Sequence, residues 1–167
     1  MASGDADLAR TCLRADNVNQ MAADEPPACA LPGLAGFLAT SAWLRYAFSD
    51  LAFEVVDHVA DAERAIAHVW FRGRQTGPFV VFPAGAAPVS FPPTGRAFAV
   101  RQTHVFRTRD GLHAEHVAVR DDLGMMTQLG HLPPSPRSLA RMARWTIGGG
   151  ARRSVAEVVA LSAAAAA

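Results

Sequence analysis

The chain contains no lysine; all of its 16 basic side chains are arginine, set against 15 acids for a net charge of +1. A balance that close to zero excludes the broad cationic footprint that nucleic acid selects. Cysteine is scarce too. Cys12 and Cys29 are the only two, which rules out a disulfide scaffold, and their spacing matches no metal site. A reduced pair in the cytosol is the default reading. No apolar run approaches the ~20 residues of a membrane-spanning helix. The first residues lack a basic head followed by an apolar stretch, so no secretory signal is expected. No internal repeat is visible. What the sequence does have is apolar mass: 50% hydrophobic against 19% charged residues over 167 positions. That excludes wholesale disorder and suffices for a core of single-domain size.

Taken in order, residues 1–19 are weakly patterned, with Leu8, Cys12 and Leu13 consistent with a short helix. Pro26, Pro27 and Pro32 exclude a regular helix over residues 21–33, which read as a loop. Leu34, Phe37, Leu38, Ser41, Leu44 and Phe48 recur at three-four spacing and predict a helix over 34–48. Alternation predicts strands over 53–58 and 65–72, while the glycine- and proline-rich segment 80–91 reads as irregular. Helical spacing returns over 138–147 and 155–161, and the alanine tail from 163 reads as frayed. The layout is α+β: a curved antiparallel sheet of four to six strands, cone-shaped and packed against N-terminal helices. A first unit covers 1–132, and a helical C-terminal extension covers 133–167.

The organising stretch is 96–130. Phe98, Val100, Gln102, His104 and Phe106 alternate with Ala97, Ala99, Arg101, Thr103 and Val105. Asp110-Gly111 suits a two-residue hairpin turn. A regular ladder then pairs Phe106 with Glu115, His104 with Val117, Gln102 with Val119 and Val100 with Asp121. Gln102, His104 and Asp121 share one otherwise apolar face in that register. A shift by one residue sends Asp121 to the opposite face.

Several segments, in order, resemble the SnoaL-like polyketide cyclases, of the nuclear transport factor 2 cone superfamily. Phe48-Ser49-Asp50-Leu51 is similar to the family's Phe-Pro-Asp-Leu corner. Trp70 followed by Arg72-Gly73-Arg74-Gln75-Thr76-Gly77-Pro78-Phe79 is similar to its Trp and Gly-Thr-His-Thr-Gly-x-Phe. Pro93-Thr94-Gly95-Arg96, Phe106-Arg107-Thr108-Arg109-Asp110-Gly111, and Glu115-His116 through Asp121-Asp122-Leu123-Gly124 complete the set. The resemblance implies a cofactor-independent intramolecular aldol closure on a polyketide. Asp121 would be the general acid/base, in an apolar pocket that raises its pKa. Gln102 and His104 would meet the enolate oxygens. Trp70, Gln75, Asn19, Val119 and Phe106 would line the substrate site. Two positions depart from the pattern: Gln75 replaces a family histidine, and Asn19-Gln20 stands where Asn-His is frequent.

The implied partners are a polycyclic or polyketide small molecule and a second copy of the chain, with no nucleic acid, membrane or metal. Each residue also has a plainer reading. Asp121 fits a helix cap, Gln102 a structural amide and Trp70 a core or pocket wall. His58, His68, His113, His116 and His131 have no metal spacing and read as structural or exposed. The cone fold also hosts hydroxylation, dehydration, hydrolysis and plain binding, so fold alone leaves the chemistry open.

Overall fold

The computed structural model describes residues 2–167. Helix α1 (Ala6–Cys12) leads into strand β1 (Leu13–Asn19), and two short 3₁₀ turns carry the proline-rich stretch to helix α2 (Gly33–Ala47). Strands β2 (Phe48–Ala60) and β3 (Arg64–Gln75) follow, then the short pair β4 (Phe79–Val81) and β5 (Val89–Phe91). The long hairpin is β6 (Ala97–Arg109) and β7 (Leu112–Arg120). Helices α3 (Asp122–Gln128), α4 (Pro136–Ile147) and α5 (Gly150–Ala165) complete the chain. The main sheet is a curved, unclosed five-stranded layer in the order β1-β7-β6-β3-β2. All its neighbours pair antiparallel except β1, which runs parallel to β7.

Two features differ from the sequence expectation. Segment 13–19 is an edge strand, because the exposed border of β7 offers unpaired backbone groups that outweigh its weak alternation. The alanine tail continues as α5 to Ala165, with Ser154, Val158 and Ser162 buried against α2 and β5. Small residues let α5 lie close against its neighbours, and Ser154 Oγ meets Ser90 Oγ at 2.7 Å. Segment 80–91 contains the β4–β5 pair rather than a main-sheet strand, as its glycines and prolines require.

The concave face of the sheet holds the core. Phe48, Phe71, Phe79 and Phe98 form an aromatic cluster, its ring centroids 5.0–6.4 Å apart. Trp43 of α2 stacks on Phe79 and donates its indole N–H to the Val80 carbonyl at 2.7 Å. Helix α2 starts after Pro32, which cannot continue a helix backwards. Gly33 there has φ +63°, and a Cβ would stand 2.5 Å from the Ala15 carbonyl oxygen, so only glycine fits.

Candidate functional site

The site is set by the register of β6 against β7. The turn forms as expected: Asp110 and Gly111 both take positive φ, 54° and 75°. The ladder then breaks between Arg107 and Thr108. Thr108 pairs with His113 but Arg107 pairs with Glu115, leaving Ala114 as a bulge. Beyond the bulge Phe106 faces His116, His104 faces Ala118 and Gln102 faces Arg120. One extra residue therefore turns every side chain of β7 beyond the bulge to the face opposite the one expected.

This corrects several sequence expectations. Asp121 does not join Gln102 and His104. It caps helix α3, its side chain exposed and Oδ1 accepting from the Gly124 N–H at 2.8 Å. Val119 is 75% exposed on the convex face, with Val117 beside it. Trp70 is also on the convex face, paired with Arg101 in the ladder, and the Arg101 guanidinium lies 4.6 Å from its ring centroid. Gln75 is fully buried and does not line the cavity. Its Nε2 donates to the Pro92 carbonyl at 3.2 Å. Its Oε1 accepts from the Thr94 hydroxyl at 3.1 Å and meets His131 Nε2 at 2.9 Å. It is a clamp on the loop before β6.

Gln102, His104, Phe106 and Asn19 do come together. A cavity of about 430 Å³ opens on the concave face between sheet, α2 and α3, within the range of ordinary small-molecule sites. Its walls are Trp43, Phe48, Phe53, Phe71, Phe79, Met125 and Met126, and its polar floor includes Asn19, Glu25, Gln102, His104, His116 and Arg120. A second, mostly apolar hollow of about 390 Å³ lies beside it towards α1, reaching Phe106 and His113. Asn19, Thr40, Phe53, His104 and His116 border both.

A hydrogen-bonded chain crosses this floor. His104 Nε2 lies 3.0 Å from Gln102 Oε1, His104 Nδ1 lies 2.9 Å from His116 Nε2, and His116 Nδ1 lies 3.0 Å from Asn19 Oδ1. Asn19 Oδ1 also accepts the Met21 N–H, so His116 Nδ1 must be the donor to it. A neutral His116 then accepts at Nε2, and His104 donates from Nδ1. His104 Nε2 is left as an acceptor, which calls for the Gln102 amide to turn its nitrogen toward it. With Gln102 presenting its oxygen, the same chain needs one ring protonated. Burial, and after it the charge of Arg120 and (for His116) the neighbouring histidine, holds the rings of His104 and His116 down at about 4. The neutral arrangement therefore prevails near pH 7.

The chain continues to a residue the sequence reading passed over. Asn19 Nδ2 donates to Glu25 Oε2 at 3.4 Å, and the Thr40 hydroxyl donates to the same oxygen at 2.8 Å. Arg120 Nη1 stands 3.6 Å from Glu25 Oε1, and Arg120 Nε lies 3.3 Å from Asp122 Oδ2. The Glu25 side chain is 3% exposed. Burial pushes its carboxyl up to about 6, against the opposing pull of Thr40 and Arg120. Glu25 and Arg120 were hidden for different reasons. Glu25 sits in a proline-rich loop with no periodicity, and Arg120 was assigned to the wrong face with the rest of β7. His116, read as structural or exposed, borders both hollows.

Among the described residues no group of three or more His, Cys, Asp or Glu side chains is arranged to hold a metal ion. Among them, too, no helix is long and apolar enough to cross a membrane.

Known proteins share this architecture. Two cyclases match over 107 residues at 35% identity: aklanonic acid methyl ester cyclase DnrD of Streptomyces peucetius and DauD of Streptomyces sp. strain C5. The match covers 64% of this chain, 68% of DnrD and 61% of DauD. The solved structure of TsrD from Streptomyces laurentii superposes with a TM-score of 0.61 at 31% identity, covering 78% of this chain and 87% of that one. IdmH of Streptomyces antibioticus gives 0.58 at 28% identity, covering 77% and 89%. The profile of one family spans residues 1–129, and with it the chain belongs to the SnoaL-like polyketide cyclases.

Proposed function

We propose that this enzyme closes a ring on an aromatic polyketide by intramolecular aldol addition, without a cofactor, in antibiotic biosynthesis. The observation that carries this reading is the pairing of an aromatic-walled cavity with a continuous polar floor from Gln102 to Glu25. Flat polyketide rings match walls of Phe53, Phe71 and Phe79 by stacking. Carbonyl and enolate oxygens match fixed donors below. The substrate class we propose is a polyketide methyl ester, the kind named for DnrD and DauD.

Chemically, a proton leaves a carbon flanked by carbonyls and its electron pair passes to the carbonyl oxygen. The resulting enolate carbon attacks a second carbonyl, and the new alkoxide takes a proton back. Atoms balance and mass is unchanged. In this reading Arg120 and the Gln102 amide donate to the enolate oxygen. His104 and His116 hold Gln102 and Asn19 in position and exclude water from the floor. Asp121 stays outside this assignment, since its carboxylate is committed to the α3 cap.

The test is incubation of the purified protein with aklanonic acid methyl ester. A product of identical mass with one ring more supports the reading. No conversion, or a product changed by the mass of water or oxygen, overturns it. Replacing Gln102 by Leu removes one donor and is expected to lower kcat roughly 100-fold.

A homodimer is part of the proposal. Val59, Ile66, Val105 and Val117 form one row across four strands of the convex face, and Val59 and Val119 are 64% and 75% exposed. Such a row supports sheet-to-sheet association. A cytosolic setting fits the two free thiols.

A further inference from the structure

We propose that the second hollow, beside the aromatic cavity, is a subsite for an apolar alkyl substituent carried by the same polycyclic substrate. This assignment rests on the ring-closing reading above and adds to it a class of substituent that the enzyme selects.

The hollow follows from side-chain size along β3. Residues two apart on a strand share a face. Phe71, Val69 and Ala67 succeed one another on the concave side, paired with Val100, Gln102 and His104 of β6. Phe71 lines the aromatic cavity alone, whereas Val69 and Ala67 line the second hollow alone. Where the aromatic ring gives way to an isopropyl group and then a methyl, about 390 Å³ opens between the sheet, α1 and α2. Phe106 and His113, their rings stacked 4.5 Å apart, form its wall on the side of the β6–β7 hairpin.

The two spaces adjoin. Thr40 of α2 and Asn19, Phe53, His104 and His116 of the sheet border both. The polar atoms on that border are spent on one another. All four ring nitrogens of His104 and His116 are engaged, with Gln102, with each other and with Asn19. The Asn19 amide also serves the Met21 N–H and Glu25, and the Thr40 hydroxyl donates to Glu25. A substituent crossing the border therefore meets ring carbon and methyl groups. A polar one gives up water there and gains no partner, which weakens binding. A hydrocarbon chain gives up nothing. Further in, the Asn17 amide donates to the His113 carbonyl at 3.2 Å and the Asp5 carboxylate caps α1.

The rim has the same character. Leu8 of α1, Leu31 ahead of α2 and Val55 of β2 line the hollow and are exposed. A chain lying against them takes their apolar surface out of water. Rings seated under Trp43 and Phe79 would send such a chain across Phe53 towards Leu8. Continuity with the aromatic cavity is what assigns the hollow to a substituent of the same ligand rather than to a separate molecule.

The test uses anthraquinone and its 2-methyl, 2-ethyl, 2-propyl and 2-butyl derivatives as probes, with binding read by quenching of tryptophan fluorescence. Affinity for the parent should rise roughly threefold to fourfold per methylene. An ether tail as long as the butyl chain should gain less than twofold over anthraquinone. Ala67→Phe fills the hollow from the sheet and should cut the gain to less than twofold per methylene. Leu8→Asp places a charge on the rim at an exposed position that the fold tolerates, and the butyl probe should lose at least fivefold. If Ala67→Phe does not fold, Leu8→Asp decides. A parent indifferent to chain length, or a gain that persists in the variants, overturns the subsite. Turnover is a separate readout. A parent that leaves aklanonic acid methyl ester unchanged yet shows the chain-length gain loses the ring-closing reading and retains the subsite. Ring closure without that gain does the reverse.

Discussion

Replacing Glu25 by Gln removes an ionisable group from a buried place, and the consequence for stability has a definite sign. Burial raises the folded carboxyl to about 6 from an ordinary 4.5. A carboxyl raised in the fold favours folding below its unfolded value and loses that contribution as pH climbs through its folded value. The difference corresponds to about 2 kcal/mol once the group is ionised in both states. Glutamine carries no such dependence. The stability of Glu25→Gln relative to the parent should therefore rise by about 2 kcal/mol between pH 4 and 8, most of it between about 4.5 and 6. Urea titrations of both proteins at several pH values measure this directly, provided the slopes match. His104, His116 and His131 titrate in both proteins, so their effect cancels in the difference. A gap independent of pH, or one moving the other way, refutes the reasoning, since it means the carboxyl is not desolvated.

Removing the α3 cap with Asp121→Ala should cost about 1 kcal/mol, read as a lower denaturation midpoint, while turnover stays within a few-fold. Gln75→Ala strands His131 and the contacts with Pro92 and Thr94 and should cost about 2–4 kcal/mol, with KM little changed once the folded fraction is corrected for. Burial holds His104, His116 and His131 at about 4 against an ordinary 6.5. Groups lowered in this way withdraw stability as pH falls below 6.5, so cooperative acid unfolding should begin in that window and shift to lower pH in His131→Gln. Val119→Asp on the convex face should convert a dimer to a monomer by light scattering without loss of helix signal.

Much of the architecture could be read from residues alone. The period-two alternation of β6 and the Asp110-Gly111 turn were sufficient to locate the hairpin, and the motifs from Phe48 to Gly124 to identify the family. Which face each residue of β7 occupies was not legible. The bulge at Ala114 has no sequence mark, and one residue of slippage exchanges Val117, Val119 and Asp121 for His116, Ala118 and Arg120. Edge strand β1 was obscured because its order comes from pairing with β7 rather than from its own pattern. Gln75 resembled a pocket residue by motif position, yet its contacts with Pro92, Thr94 and His131 are fixed by a loop whose path no local rule predicts. Glu25 was invisible for a related reason. A carboxylate in a proline-rich turn reads as surface until the chain folds over it.

Conversion of aklanonic acid methyl ester by the wild-type protein, followed by mass spectrometry and proton NMR, reaches the central question most directly. An isomer of unchanged mass that has gained a ring is the predicted product. An untouched ester, or one altered in mass, contradicts ring closure in this cavity.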